Sequence, residues 1–391
     1  MIHYPYLIIG GGMTGVAAIR GIRKMDADGA IGMISNEAYP PYKRPFLSKA
    51  LWQGVPYAKV WSEIDMKHVD LHLARYVIRI DREKKQVVDD QGTTYCFDKL
   101  LLATGVSARH LPLDEKGLIY FRGIDDYLKL KQQAEQKQHI AVIGGGFIGT
   151  EIASALVSNS NSVTMIFPEE SIGIRTYPRA LSHFLNRYYQ SRGVNIVNND
   201  TPVAITKEAD GYKIRTHSNK FLNVDAVVAG VGTASNTDLA ELSGLQIDNG
   251  IVVNELLQTS DPSIYAAGDV ANFFNPALKI RTRVEHEDNA NVMGEAAGVN
   301  MAGGSLPYDH LPFFYSDLFD LGYEAVGILD STMEMVEDWQ EGFRKGVVYY
   351  LEHKRVRGVL LWNTWGHIDE ARALIADQGT FTPQSLTGRF T

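Results

Sequence analysis

The sequence predicts an α/β fold, with two Rossmann-like dinucleotide-binding domains followed by a C-terminal α+β domain. Three observations carry this reading. The chain reads strand, glycine turn, helix in "YLIIGGGMTGVAAIRGI" (6–22), and again in "IAVIGGGFIGTEIASAL" (140–156). Strand and helix patterns alternate over the first two thirds, which favours parallel sheets with crossover helices. The last third changes character: "GVVYYLEHKRVRGVLLWN" (346–363) has two apolar arms around a basic turn, the pattern of an antiparallel hairpin.

In chain order, the first trio is a strand over 6–9, a helix over 13–24 and a strand over 30–35. Strand-like pieces follow over 71–81, 86–88 and 99–103. The trio returns as a strand over 139–143, a helix over 147–158 and a strand over 162–167. "GYKIRTHS" and "VDAVVAGVG" are strand-like again, and "IDEARALIADQ" (368–378) has a helical period. The acidic piece "DSTMEMVEDWQEG" (330–342) reads as an exposed connection. The expected domains are 1–113 with 234–311, then 114–233, then 312–391.

Composition narrows the function. The 391 residues carry a net charge of −8, against the basic face of a nucleic-acid binder. No apolar run reaches the ~18 residues of a membrane span. The chain opens almost directly on its first strand, with no signal or transit pattern, and is expected to be cytoplasmic. Cys96 is the single cysteine, so no internal disulfide, CxxC redox pair or cysteine-rich metal site can form. Its apolar surroundings predict a buried packing residue.

Each glycine loop is GxGxxG: Gly10, Gly12 and Gly15, then Gly144, Gly146 and Gly149. The first glycine permits the tight turn. The second lets backbone N–H groups approach a pyrophosphate at the helix N-terminus. The third lets the helix pack closely on the strand. Twenty residues beyond Gly149 stands Glu169, and 22 beyond Gly15 stands Glu37; each is placed to bind a ribose hydroxyl pair. A 2′-phosphate about 4 Å from Glu169 would be repelled by roughly 4 kcal/mol at an effective dielectric of about 20. NADH is therefore expected over NADPH by at least about tenfold. Two dinucleotide loops imply two dinucleotides, and FAD with NAD(H) is the pair between which hydride passes.

"KLLLATG" (99–105) and "TSDPSIYAAGDV" (259–270) resemble flavin signatures of the two-dinucleotide, glutathione-reductase-like flavoprotein superfamily. Within it the chain most resembles apoptosis-inducing factor and its relatives, near the ferredoxin and rubredoxin reductases. "PYKRPFLSKALW" (41–52), "GGGFIGTE" (144–151), "RVEHEDNANVMGEAAGVNMAG" (283–303), "SDLFDLGYEAVG" (316–327) and "GVLLWN" (358–363) carry this resemblance. It implies FAD on the first loop, with Thr104, Gly105, Gly268 and Asp269, and NAD(H) on the second, with Phe147, Ile148 and Gly232. It further implies that Lys49 and Glu151 meet beside the flavin, that Arg44 supports its phosphate or that pair, and that Phe147 gates its face. Glu285 and His286 would lie along flavin and nicotinamide. Trp362, and Tyr315 in the place of a family tryptophan, would be further cofactor contacts. Glu151 is expected in the first turn of its helix, where the dipole favours an acid.

The resemblance implies an NADH oxidoreductase. Hydride would pass to flavin N5, and electrons to an unidentified acceptor: a quinone, oxygen or a small iron–sulfur protein. Two alternatives accompany it. One is the ferredoxin or rubredoxin reductase component of an oxygenase system. The other is a redox-sensing interaction protein, in which a long-lived reduced flavin–NAD charge-transfer complex changes a homodimer or partner binding in response to NADH.

Overall fold

The computed structural model describes residues 1–113 and 116–390. The junction expected at 113/114 touches residues outside that description. The chain divides into two compact units, each assembled from separated segments. One comprises Met1–Lys43, Ala58–Ser107 and Ala234–Phe314. The other comprises Arg44–Tyr57, Ala108–Thr233 and Tyr315–Thr391.

The sheet of the first unit runs in the order Val69–His72, Ile31–Ile34, Ile2–Ile9, Thr94–Leu102, Gln86–Asp89, Val77–Asp81, with Ile264–Ala266 also on Thr94–Leu102. The pairings from Val69–His72 to Thr94–Leu102 are parallel, and those of Val77–Asp81 and Gln86–Asp89 antiparallel. The stretch expected as strand-like over 71–81 is thus two strands with different partners. The first pairs in parallel with Ile31–Ile34 at one edge of the sheet, and the second pairs antiparallel with Gln86–Asp89 at the other. Leu7, Ile8, Leu100, Leu101 and Ile264 are wholly buried and form the centre of this core.

Helix Met13–Met25 follows the first glycine loop and packs on helix Glu287–Met301. The approach is close enough that a Cβ on Gly21, Gly294 or Gly298 would meet the facing backbone at 2.1, 2.4 and 2.1 Å. Small residues let two helix backbones come this near, so a segment distant in sequence is locked beside the glycine loop.

The second unit holds the parallel sheet Val194–Val197, Ser162–Ile166, His139–Ile143, Ala226–Ala229, Ile119–Tyr120. An antiparallel meander of Pro202–Glu208, Gly211–Thr216 and Phe221–Val224 accompanies it. The C-terminal sheet runs Phe313–Leu318, Leu321–Gly327, Arg355–Trp362, Lys345–Glu352, Glu334–Glu341. Its expected hairpin pairs antiparallel, Val348 opposite Leu360.

The acidic piece over 330–342 is a correction. Instead of a connection, Glu334–Glu341 is the outer strand of this sheet, paired antiparallel with Lys345–Glu352. Its charges mask the period-2 signal and are what an edge strand uses to discourage further pairing. Cys96 is half-buried rather than buried.

Candidate active site

In each glycine loop the three glycines answer to different demands. A Cβ on Gly144, at φ +115°, would lie 2.3 Å from the Gly230 oxygen, and one on Gly149 would lie 2.1 Å from the Gly144 oxygen. Gly10 and Gly15 are confined in the same way, by the oxygens of Ala103 and Gly10 at 2.1 and 2.3 Å. A Cβ on Gly12 or Gly146 would meet nothing within 4 Å. The first and third glycines are therefore required by the protein's own packing. The second faces open space at the start of a helix, with N–H groups available to an anion. This is the cradle that each dinucleotide needs, and both loops fit it.

Beside the second loop lies a cavity of about 330 Å³. Gly144, Gly146, Phe147, Glu169, Arg175, Tyr177 and Gly232 are among the residues that line it. Phe147 and Ile148, at the start of helix Phe147–Ser158, are 40% and 39% exposed, unusual for large apolar side chains at a helix start unless something covers them. Glu169 stands just past strand Ser162–Ile166, and its carboxylate pairs with Arg175 at 2.8 Å. Gly232 is exposed at φ +98°, and its carbonyl accepts the Arg109 N–H at 2.9 Å. Sequence reasoning passed over Arg175 and Tyr177, because their segment carries no periodic signal.

In the first unit, Glu37 follows strand Ile31–Ile34 and accepts the Tyr42 hydroxyl at 2.6 Å. Thr104 and Asn236 exchange side chain-to-backbone bonds at 2.8 Å, which fix the turn where Gly105 takes φ +64°. Gly268 takes φ +77°, and a Cβ there would strike the Thr14 hydroxyl at 2.2 Å. Asp269 lies in the 3₁₀ turn Gly268–Val270, its carbonyl accepting from Arg283 at 2.9 Å. Arg283 also pairs with Glu285 at 2.5 Å. His286 caps helix Glu287–Met301, with its ring stacked on Phe314 at 4.2 Å.

Lys49 and Glu151 do meet, in the second unit. The Lys49 ammonium lies 2.7 Å from both carboxylate oxygens. Ser48 and Ser316 donate to the same carboxylate at 2.7 and 2.6 Å. The Lys49 ammonium also stands 5.1 Å from the centre of the Tyr315 ring. Glu151 is only 4% exposed, so removing either partner would strand a buried charge, a loss of about 3–5 kcal/mol. Nearby Asp317 is raised, first by burial and further by the Glu151 charge, against the pull of Lys49.

Two expectations change here, those for Glu151 and Trp362. Glu151 is the fifth residue of its helix, beyond the first turn, and its carboxylate is held by three side-chain donors, Ser48, Lys49 and Ser316. Arg44 donates to the Arg122 carbonyl at 3.1 Å. Trp362 is fully buried, stacked on Tyr323 at 5.7 Å with Tyr177 at its edge, and its indole N–H donates to the Phe343 carbonyl. It has no surface left for a cofactor and is a packing residue of the C-terminal sheet.

The sequence profile described as "Pyridine nucleotide-disulphide oxidoreductase" matches residues 4–294. The chain belongs to that family. The profile "Apoptosis-inducing factor, mitochondrion-associated, C-term" matches residues 297–341 and 334–377 of this family member. It is 33% identical, over 98% of its length and 96% of the relative's, to the "Anthranilate 1,2-dioxygenase system ferredoxin--NAD(+) reductase component" of Burkholderia cepacia. It is 31% identical, over 95% of its length, to a Drosophila melanogaster protein named for mitochondrial apoptosis-inducing factor 1, of which it spans 63%. Among solved structures it resembles putidaredoxin reductase in its covalent complex with putidaredoxin. There the TM-score is 0.92 at 27% identity, over 100% of this chain and 97% of that one.

This member of the pyridine nucleotide-disulphide oxidoreductases is an FAD-dependent NADH oxidoreductase, with FAD and NAD(H) as its cofactors. Its one cysteine leaves it without the internal dithiol that the family's title implies. No helix among the described residues is long and apolar enough to cross a membrane.

Proposed function

We propose that this oxidoreductase takes electrons from NADH and hands them to a small iron–sulfur protein of the ferredoxin kind. The observation that carries the reading is the buried Lys49–Glu151 pair in a chain with a single cysteine. Electrons then leave the flavin without a protein disulfide between. The full-length match to a ferredoxin--NAD(+) reductase component and the likeness to putidaredoxin reductase support it.

FAD, when bound, accepts hydride from NADH and can release the two electrons one at a time. The 10–15 loop and Glu37 hold its pyrophosphate and ribose, with Asp269 along the same cofactor. The 144–149 loop holds NADH, and Glu169 takes its ribose hydroxyls. Phe147, at the start of the helix after the second loop, would cover the flavin face where nicotinamide binds, and His286 and Glu285 would orient the rings. Lys49 would place its positive charge beside the flavin, and Glu151 would hold the ammonium in position. The reaction belongs in the cytoplasm, where NADH is supplied and a lone cysteine stays reduced.

The test is anaerobic reduction with one equivalent of NADH, followed by rapid mixing with a small [2Fe–2S] ferredoxin. Fast reoxidation of the flavin by the ferredoxin supports the reading. Fast reoxidation by a quinone or by oxygen, with the ferredoxin inert, overturns the partner.

A second reading is favoured by the apoptosis-inducing-factor match over the C-terminal sheet. In it NADH produces a long-lived charge-transfer complex that alters a homodimer. A long-wavelength absorbance band, slow decay in air and an NADH-dependent change in size-exclusion mass would select it.

A further inference from the structure

Residues 167–178 join strand Ser162–Ile166 to helix Arg179–Ser191 with no helix or strand of their own. Glu169 and residues 171–177 of this segment line the 330 Å³ cavity. Without a ladder to hold it, the segment takes its shape from side chains that meet its backbone. The helix that follows supplies most of them. Ser182, His183 and Asn186 come three, four and seven residues after Arg179, so the four share one face. Leu181, Leu185, Tyr188 and Tyr189, elsewhere around the helix, are buried as core.

The polar face meets residues 170–172. The Asn186 Oδ1 accepts the Ile172 N–H at 2.9 Å, and its Nδ2 donates to the Glu170 carbonyl at 3.3 Å. Ser182 donates to the Ile172 carbonyl. Asn198 adds a second donor to the Glu170 carbonyl at 2.5 Å. The Glu170 carboxylate also meets Arg179 at 2.8 Å and His183 at 2.7 Å. Those side chains are 42%, 71% and 37% exposed, so water screens the ion pairs and they hold the segment weakly. Ser171 and Ile172 are each 1% exposed, so the bonds to their backbone are made in a dry place and count for more.

The two Asn186 bonds together call for an amide. Ile172 presents a donor and Glu170 an acceptor, and the Asn side chain carries one group of each kind in a single plane. It pairs with the segment as a neighbouring strand would. Glu169 is thereby fixed on both sides. Its own carbonyl accepts the Asn199 N–H at 3.0 Å, and the residue after it is held by Asn186 and Asn198.

We propose that Asn186 is a positioning residue for nucleotide discrimination: by clamping the 170–172 backbone it holds the neighbouring Glu169 carboxylate at the cavity wall. Asn198 acts in the same way through the Glu170 carbonyl. The inference rests on the reading that Glu169 takes the NADH ribose, and it assigns no chemical step to either asparagine.

The experiment measures dissociation constants for NAD⁺ and NADP⁺ on the FAD-loaded protein, with a thermal melt of each variant. Asn186→Leu keeps the size of the side chain and removes both bonds. It should weaken NAD⁺ about tenfold and NADP⁺ about twofold, a fall of about fivefold in discrimination. Asn198→Ala removes one bond at a half-buried residue and should lower discrimination about twofold; it decides the matter alone if Asn186→Leu does not fold. Combined with Glu169→Ala, Asn186→Leu should no longer change the discrimination, since both act through one carboxylate.

A merely structural role predicts that both nucleotides weaken alike as the melting temperature falls, with discrimination unchanged, and that result overturns the proposal. So does a change that persists on the Glu169→Ala background. Discrimination that moves in Glu169→Ala but in neither asparagine variant overturns it too, and leaves the reading of Glu169 standing. If Glu169→Ala itself leaves discrimination unchanged, that reading fails first, and the proposal fails with it.

Discussion

Replacing Glu169 by alanine should turn the nucleotide preference towards NADPH. Glu169 stands just past the second strand of the 139–166 repeat and lines the cavity. Against a 2′-phosphate about 4 Å away, an isolated carboxylate contributes roughly 4 kcal/mol of repulsion at an effective dielectric near 20. Two features reduce this. Arg175 lies 2.8 Å from the carboxylate and is itself 81% exposed, so part of the negative field is cancelled and part is screened by solvent. A net discrimination of about 1.4–2.8 kcal/mol remains, or roughly tenfold to a hundredfold in favour of NADH. In Glu169→Ala the Arg175 guanidinium loses this carboxylate and stands beside the cavity as a phosphate partner. The NADPH/NADH ratio should rise at least about tenfold, and Arg175→Ala should move it the other way. Dissociation constants for NAD⁺ and NADP⁺, measured on the FAD-loaded protein at low and high salt, decide the matter. Equal affinities in the unaltered protein, or an unchanged ratio in Glu169→Ala, would refute the reasoning.

Other outcomes follow from the same geometry. Gly146→Ala places its Cβ in open space and should keep the fold and the FAD while losing NADH affinity; Gly144→Ala, strained at φ +115° and aimed at the Gly230 oxygen, should lower the melting temperature as well. Phe147→Ala, at a residue 40% exposed, should alter the KM for NADH with little change in the melt. Trp362→Ala should cost about 3–5 kcal/mol in denaturant unfolding without a direct effect on nucleotide affinity. Burial alone would raise Asp200, but bonds from the Ser218 and Thr216 hydroxyls and from the Ser218 and Thr201 N–H groups bring it down to about 2. Its folded value lies below the ordinary carboxylate value, so the contribution is complete above about pH 5 and fades as the pH falls towards 2. Asp200→Asn should therefore be destabilised by about 2 kcal/mol near pH 7, with the difference closing in acid, as urea unfolding across that range would show.

The two strand–glycine–helix repeats were legible because they are local. Tight turns, helix starts and the switch from strand to helix period are set by residues close in sequence, and so their pattern survives in one dimension. The strand His139–Ile143 and the helix Phe147–Ser158 lie where the periodicity puts them. The single cysteine, likewise, excluded an internal dithiol without any coordinates. The outer strand Glu334–Glu341 was illegible because an edge strand is charged for reasons of pairing, which a periodicity reading takes for a loop. Trp362 carried a family motif, yet its burial between Tyr323 and Tyr177 follows from how the C-terminal sheet closes on the 177 segment. Glu151 lies 102 residues from Lys49 and 165 from Ser316, and no spacing rule reaches so far. Sequence determined which chemistry the chain can hold; only tertiary packing decided which polar groups share one dry site, because burial is a property of everything folded around them.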